Sequence, residues 1–82
     1  MIYVDVYVPI IDKVYDFNLD ENATVAILID EIAEMLSQKE QSKIGGDPNE
    51  IVLCLEEASL VMPRNKTLSE CGVHTGSRII FA

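Results

Sequence analysis

The sequence predicts an α+β fold in which one long helix packs across a sheet of five strands. Apolar and polar residues alternate in two runs near the start of the chain, which is typical of half-buried strands. After these runs the apolar period changes to that of an amphipathic helix. The chain has 82 residues, 49% hydrophobic and 24% charged, so we expect a single folded domain over residues 1–82.

The first two strands are predicted to form a hairpin. Apolar residues alternate through residues 2–8 and again through residues 15–19. Pro9 should end the first strand because it cannot donate a ladder hydrogen bond. The next two residues, Ile10 and Ile11, lie in the connecting loop, although no simple turn requires two isoleucines.

The central segment is predicted to be an amphipathic helix. Asn22 or Thr24 can accept hydrogen bonds from the first-turn amides, so either is a candidate N-cap. We expect the helix to end near Lys43, with Gly45 and Gly46 as the stop. The apolar stripe has the spacing of one helix face and comprises Val25, Leu28, Ile29, Ile32, Met35 and Leu36.

The second half of the chain carries three further predicted strands. Residues 51–55 are a short apolar run between turn residues, residues 60–62 form a brief fourth strand, and residues 77–82 form the last. Residues 67–72 are predicted to form a short helix, with Thr67 as its cap and Gly72 as its terminator. The predicted order is therefore β-β-α-β-β, then a short helix, then β.

Alternation also assigns the two faces of the predicted sheet. Toward the helix it places Val4, Val6, Tyr15, Phe17, Leu19, Leu53, Leu55, Ile79 and Phe81. Away from the helix it places Tyr3, Tyr7, Val52, Cys54 and Ile80. We expect the first set to hold the fold together and the second set to be available for contacts with other molecules.

Charge limits the classes of partner. Fourteen acidic and six basic residues give a net charge of −8, which argues against nucleic acid, because phosphate binding needs clustered lysines and arginines. Residues 1–38 carry eight carboxylates and one lysine (net −7), whereas residues 39–82 carry six carboxylates and five basic residues (net −1). The acidic half either keeps the domain soluble or attracts a basic partner.

The sequence contains no recognisable catalytic, metal-binding or cofactor-binding motif, so we predict a protein that is not an enzyme and needs no cofactor. Cys54 and Cys71 lack the spacing of a metal site and are expected to be reduced thiols. The single histidine, His74, has no acidic neighbour in sequence and is expected at the surface. Apolar runs are too short for a membrane span or a signal peptide, so we expect no membrane insertion and a cytoplasmic location.

Residues 67–73, Thr-Leu-Ser-Glu-Cys-Gly-Val, resemble the Thr-Leu-Ser-Asp-Tyr-x-Ile segment before the last strand of ubiquitin. With the predicted element order, this resemblance implies a ubiquitin-like β-grasp fold, with a mixed five-stranded sheet, one long helix across it and a short helix before the last strand.

Residues 68–76, Leu-Ser-Glu-Cys-Gly-Val-His-Thr-Gly, more closely resemble the small bacterial ubiquitin-like family of YukD and EsaB. Members of this family are accessory proteins of type VII secretion in Gram-positive bacteria. The resemblance implies a cytoplasmic accessory or regulatory role and protein partners among components of the secretion machinery.

Ubiquitin-type modifiers and sulfur carriers end in a flexible Gly-Gly tail whose carboxylate is activated for transfer. Here residues 79–82, Ile-Ile-Phe-Ala, lie in a predicted strand instead. We therefore expect an interaction module that is not conjugated to other proteins. A modifier or sulfur carrier is the disfavoured alternative, and a self-assembling structural module, and so a homo-oligomer, is the other.

The sheet face turned away from the helix is the predicted binding surface, because ubiquitin has its recognition patch there. The matching region combines Ile10 and Ile11 from the hairpin loop with Cys54 and Ile80 from the strands. In one alternative, the loop isoleucines fold back onto the core. In another, the same patch serves oligomerisation. The free edges of the sheet are a further place for strand addition by a partner or a second copy.

Overall fold

A computed structural model describes residues 1–44 and 46–82. Its strands form one sheet in the order β2-β1-β5-β3-β4, in which β1 and β5 are parallel and all other neighbours are antiparallel. This mixed five-stranded sheet with one long helix is the predicted ubiquitin-like β-grasp. The elements are β1 (Ile2–Val8), β2 (Lys13–Leu19), α1 (Val25–Glu40), β3 (Leu53–Leu55), β4 (Leu60–Val61) and β5 (Arg78–Phe81).

The core lies between α1 and one face of the sheet, and its buried apolar side chains form one cluster. Five of the six residues of the predicted helix stripe are buried, and Met35 is half-buried and packs against the cluster. In the part of the chain that the structure describes, no helix has the length and apolar character needed to cross a bilayer.

The predicted assignment of the two sheet faces is confirmed. Every residue predicted to face the helix is buried except Tyr15, which is half-buried and packs against the core. Every residue predicted to face away is exposed or half-buried. Successive residues of a strand face opposite sides of the sheet, so the pairing register decides which residues contact the helix. A shift of one residue would exchange the buried and exposed sets.

The first turn of α1 is held by a side chain and by a neighbouring loop. Thr24 is the N-cap, and its Oγ1 accepts a hydrogen bond at 3.5 Å from the amide of Ile27. Of the two candidate N-cap residues, Thr24 is therefore the N-cap and Asn22 is not. The amide of Val25 donates to the carbonyl oxygen of Lys66 at 2.8 Å, which ties the loop before residue 67 to the start of the helix.

The helix ends three residues earlier than predicted, at Glu40 rather than at Lys43. Gln41 takes the left-handed conformation, with φ of 53°, and its amide donates to the carbonyl oxygen four residues back. The prediction that Gly45 and Gly46 stop the helix is therefore wrong, and Gly45 itself lies outside the described residues. The early end has a physical reason, because Ile44 is buried and the chain must leave the helix to turn this side chain into the core.

The strands of the second half are shorter than predicted but lie at the predicted places. Residues 53–55, 60–61 and 78–81 are strand, against predictions of 51–55, 60–62 and 77–82. Beyond the strand ends, the backbones of Val52 and Ala82 still exchange two hydrogen bonds, of 2.8 and 3.1 Å. The pairing of β3 with β5 therefore continues past the residues assigned as strand.

The segment predicted as a short helix is a series of hydrogen-bonded turns. Its predicted cap is present: the Glu70 amide donates to Thr67 Oγ1 at 3.1 Å, and the Thr67 amide donates to Glu70 Oε1 at 3.0 Å. Gly72 has a φ of +84°, a conformation that favours glycine. Thr67 and Gly72 are only five residues apart. The amide of Val73 donates a hydrogen bond of 3.0 Å to the carbonyl oxygen of Leu68, which closes the turn, and no regular helix forms between Thr67 and Gly72.

Candidate partner-binding face

The sheet face opposite α1 carries a continuous row of side chains, one from each strand. In the register of the sheet, Tyr7 on β1 is the neighbour of Val14 on β2 and of Ile80 on β5. Ile80 pairs with Cys54 on β3, and Cys54 pairs with Val61 on β4. We call these five residues the apolar row. With about 4.8 Å between neighbouring strands, the row spans about 19 Å.

The apolar row is open to solvent, since the described part of the chain places α1 on the other face. Val14 and Val61, at its two ends, are 47% and 57% exposed. The three residues between them are half-buried, each flanked by its neighbours in the row. A strip of this kind is the type of surface that marks a protein-protein contact.

The four predicted site residues occupy different environments. Cys54 and Ile80 are direct cross-strand neighbours at the centre of the apolar row. Ile10 is 75% exposed in the single-turn helix Pro9–Ile11 and lines a cavity of about 240 Å³ with residues 81–82 at the end of β5. Ile11 is half-buried and packs against the core, which is the folded-back position considered for both loop isoleucines.

Sequence reasoning missed both ends of the apolar row, Val14 and Val61. Val14 precedes the predicted alternation of residues 15–19, and Val61 lies in a strand of two residues, which is too short to show a period. Alternation predicts Tyr7 on this face, but the predicted patch does not include it. The position of Val14 follows only from the hairpin register, which sets it opposite Tyr7.

A charged row runs beside the apolar row. Asp5 on β1 lies opposite Asp16 on β2 and is the register neighbour of Arg78 on β5. The pKa of the Asp16 carboxyl is raised, chiefly by its hydrogen bond with Asp5 and also by repulsion from that carboxylate. The Nε atom of Arg78 lies 3.0 Å from Oε2 of Glu56, and its guanidinium lies 5.1 Å from the ring centre of Tyr7. This row therefore combines one cation with three carboxyl groups.

Tyr7 connects the two rows and has a fixed position. Its hydroxyl donates a hydrogen bond of 2.9 Å to Oδ1 of Asp12 in the turn after β1. This bond is the main reason that the pKa of the Tyr7 phenol is raised. Because one face of the ring contacts Arg78, the neutral side chain serves as a packing surface and has no acid-base role at neutral pH.

A second polar cluster joins the turn before β5 to the single-turn helix Glu56–Ala58 after β3. The buried Ser77 hydroxyl donates to Oε1 of Glu57 at 2.6 Å and accepts a hydrogen bond of 3.1 Å from the His74 amide. Nε2 of His74 lies 3.4 Å from Oε2 of Glu57. We call these three residues the Glu57 cluster. Sequence reasoning missed it because Glu57 lies 17 residues before His74.

The Glu57 cluster contains a serine, a histidine and a carboxylate, but not in the arrangement of a nucleophilic triad. In a triad the imidazole takes the serine proton, whereas here the Ser77 hydroxyl donates to the carboxylate. The bond from Ser77 lowers the pKa of the Glu57 carboxyl. Hydrogen bonds with the Thr75 carbonyl and with Glu57 raise the pKa of the His74 imidazole. The arrangement is that of a structural latch between two turns.

Cys54 and Cys71 are half-buried and form no disulfide in the described part of the chain. Burial raises the pKa of the Cys71 thiol, which disfavours the reactive thiolate. Within residues 1–44 and 46–82, no group of three or more histidine, cysteine or acidic side chains is placed to hold a metal ion.

Solved structures with the same fold include three ubiquitin-like proteins. The ubiquitin-like domain of EccD5 from Mycobacterium xenopi is 22% identical, with a TM-score of 0.76 over 99% of this chain and 91% of that one. The N-terminal ubiquitin-like domain of the 4931431F19Rik protein is 22% identical, with a TM-score of 0.77 over 99% of this chain and 72% of that one. Caldiarchaeum subterraneum ubiquitin is 15% identical, with a TM-score of 0.73 over 98% of this chain and 89% of that one.

At these identities the similarity establishes the ubiquitin-like fold and no more. No curated protein sequence matches the chain. The family described as WXG100 protein secretion system (Wss), protein YukD, matches residues 3–81. This match confirms the resemblance drawn from residues 68–76 and extends it over almost the whole sequence. The chain belongs to the YukD family of the WXG100 secretion system, also called the type VII secretion system.

Proposed function

We propose that this protein is a non-conjugated, ubiquitin-like interaction module that binds components of the type VII secretion machinery in the cytoplasm as an accessory or regulatory subunit. The observation that carries the binding role is the apolar row, which crosses all five strands on the face opposite the helix. Membership of the YukD family supports the link to secretion.

The apolar row suits a protein partner for a physical reason. Covering an exposed apolar strip contributes binding free energy in proportion to the area removed from water, about 25 cal/mol per Å². Tyr7, at the junction of the two rows, has the aromatic character that is enriched at the centres of interfaces. The acidic net charge supports a protein partner over a nucleic acid. We propose that Ile10, beside the end of β5, extends the same contact.

The proposed mode of action is non-covalent binding. Ala82 exchanges two backbone hydrogen bonds with Val52 and is part of the sheet. Incubation with ATP and a lysate of the host, followed by mass spectrometry, tests this part of the proposal. We expect no isopeptide adduct through the C-terminus, and an ATP-dependent adduct would show that the protein is a modifier.

The chemistry of the described side chains supports a binding role over an enzymatic one. The Ser77 hydroxyl is buried and donates a hydrogen bond to the Glu57 carboxylate. The Cys71 thiol has a raised pKa. We therefore propose that residues 1–82 act as one non-catalytic domain without a cofactor.

Self-assembly is a second candidate function, because β2 lies at the edge of the sheet and has seven residues with a neighbour on one side only. A free edge of this length can pair with a second copy. Light scattering at several protein concentrations separates the two functions. A mass near 9.1 kDa supports the monomeric adaptor, and a mass that doubles with concentration supports self-assembly.

Crosslinked affinity purification from the host at native abundance tests the main proposal. Wild-type protein should enrich components of the secretion machinery, and Val61→Ser and Ile80→Ser should both lose them. Ile27→Ser is the control, because Ile27 is exposed to nearly the same extent as Val61 (52% against 57%) and lies on the helix, away from the apolar row. Loss of the same partners in the control, or their retention in both row variants, would contradict the proposed surface.

A further inference from the structure

Resting on the proposed function, we infer that the partner docked on the apolar row presents a lysine or arginine side chain that bridges Asp5 and Asp16. The partner is thus a polypeptide segment with aliphatic side chains next to a basic residue. The two aspartates are called the aspartate pair below.

The aspartate pair is in the right place for a combined contact. Asp5 lies two residues before Tyr7 on β1, and Asp16 lies two residues after Val14 on β2, so both project from the same face as the apolar row. Same-face neighbours along a strand are about 7 Å apart. One short segment of a partner can therefore contact the apolar row and the aspartate pair together.

The aspartate pair is not neutralised by the rest of the described chain. Its register neighbour Arg78 is the nearest cation by strand position, but the guanidinium of that arginine contacts Glu56 and the ring of Tyr7. No described ion pair includes either aspartate. Like charges directly opposite each other across two strands destabilise a sheet. The pKa of the Asp16 carboxyl is raised first by its hydrogen bond with Asp5 and second by this repulsion.

A cation from a partner removes this repulsion, and a basic side chain fits better than a metal ion. Stable sites for calcium take six to eight oxygen ligands, whereas the pair supplies two carboxylates and no third acidic group joins it among the described residues. A guanidinium can bond two carboxylates at once through its fork of donors.

The net negative charge of the first half of the chain also favours a basic partner at long range. Residues 1–38, which include both aspartates, carry eight carboxylates and one lysine. An acidic surface of this kind accelerates the approach of a basic segment and repels an acidic one.

Selection of a random dodecapeptide library displayed on phage, against the full chain, tests the inference without knowledge of the natural partner. We expect the enriched peptides to contain lysine or arginine next to aliphatic residues. The most enriched peptide, made synthetically, should bind about tenfold more weakly to the double variant Asp5→Asn, Asp16→Asn, as expected for the loss of charge-assisted hydrogen bonds. Its affinity for wild type should also fall as salt is raised.

The matched control is the double variant Asp30→Asn, Glu31→Gln, which removes the same charge from the exposed face of α1. Its affinity for the peptide should equal that of wild type. Weaker binding of the double asparagine variant cannot be attributed to unfolding. This variant loses the repulsion between the two aspartates and should melt at the same temperature as wild type or higher.

The outcomes distinguish this inference from the proposed function. Enriched peptides without basic residues, or peptides that bind the double asparagine variant with wild-type affinity, overturn the inference. If the peptides of either kind bind Val61→Ser more weakly than wild type, the apolar row is still the binding surface, although the inference about the basic side chain is wrong. Peptides that bind all these variants equally, or a library that yields no binder, count against both.

Discussion

Ile79 and Ile80 are adjacent in β5, yet the same substitution at each should have very different effects. Ile79 is fully buried between β1 and β3, whereas Ile80 lies half-buried in the apolar row. Truncation to alanine removes three carbon groups, which corresponds to about 2.4 kcal/mol of transfer free energy at about 0.8 kcal/mol per buried group. The cavity left at position 79 raises the expected loss of unfolding free energy to about 3 kcal/mol. For Ile80→Ala we expect a loss of unfolding free energy of about 1 kcal/mol, because the half-buried side chain removes less apolar area from water.

Urea denaturation followed by circular dichroism measures both losses. For a domain of this size the slope is about 1 kcal/mol per molar urea, so the midpoint should fall by about 3 M for Ile79→Ala and by about 1 M for Ile80→Ala. Partner capture should show the reverse order, with Ile80→Ala the weaker binder. Equal losses of stability, or a larger loss for Ile80→Ala, would refute the assignment of the two sheet faces, because a shift of one residue exchanges the two side chains.

Three further predictions concern the Glu57 cluster and the end of the helix. Ser77→Ala should lower the unfolding free energy by about 1.5 kcal/mol in urea denaturation, because it removes a hydrogen bond to a carboxylate; an unchanged midpoint would contradict the latch. The pKa of the His74 imidazole is raised in the folded state. The protonated side chain therefore stabilises the fold fully below about pH 6.5, and this contribution to the free energy of unfolding is lost as pH rises through the higher folded-state pKa. Melting temperatures of wild type and His74→Gln should therefore converge from pH 6 to pH 9, and a constant gap would disprove the linkage. Gln41→Gly should stabilise the fold by about 0.5 kcal/mol, because relief of left-handed strain exceeds the entropy lost by glycine; a lower urea midpoint would argue against this conformation.

The order of the elements and the two faces of the sheet could be predicted because both depend on local periodicity. Val4 and Phe17 are buried, and Cys54 and Ile80 face away from the helix, as alternation indicates. The helix end could not be predicted in the same way. Gln41 takes a conformation in which glycine is the usual residue, and it does so because Ile44 must reach the core.

The candidate site could be predicted only in part, since it depends on contacts between strands that are distant in sequence. The pairing of Cys54 with Ile80 joins residues that the alternation had placed on one face. Val14 and Val61 join the row only through cross-strand register, for which single-strand patterns contain no signal. The contact between His74 and Glu57 likewise requires the folded positions of two separate turns.

The last of the five strands along the chain lies in the middle of the sheet, between β1 and β3. A polypeptide leaving the ribosome therefore exposes the β1–β2 hairpin and the β3–β4 pair as two separate halves until residues 78–81 emerge. Local contacts in the hairpin form early, whereas closure of the sheet waits for pairings of long sequence separation. A stalled or truncated chain that lacks β5 would present two open strand edges at β1 and β3, the kind of surface that chaperones shield and that drives aggregation.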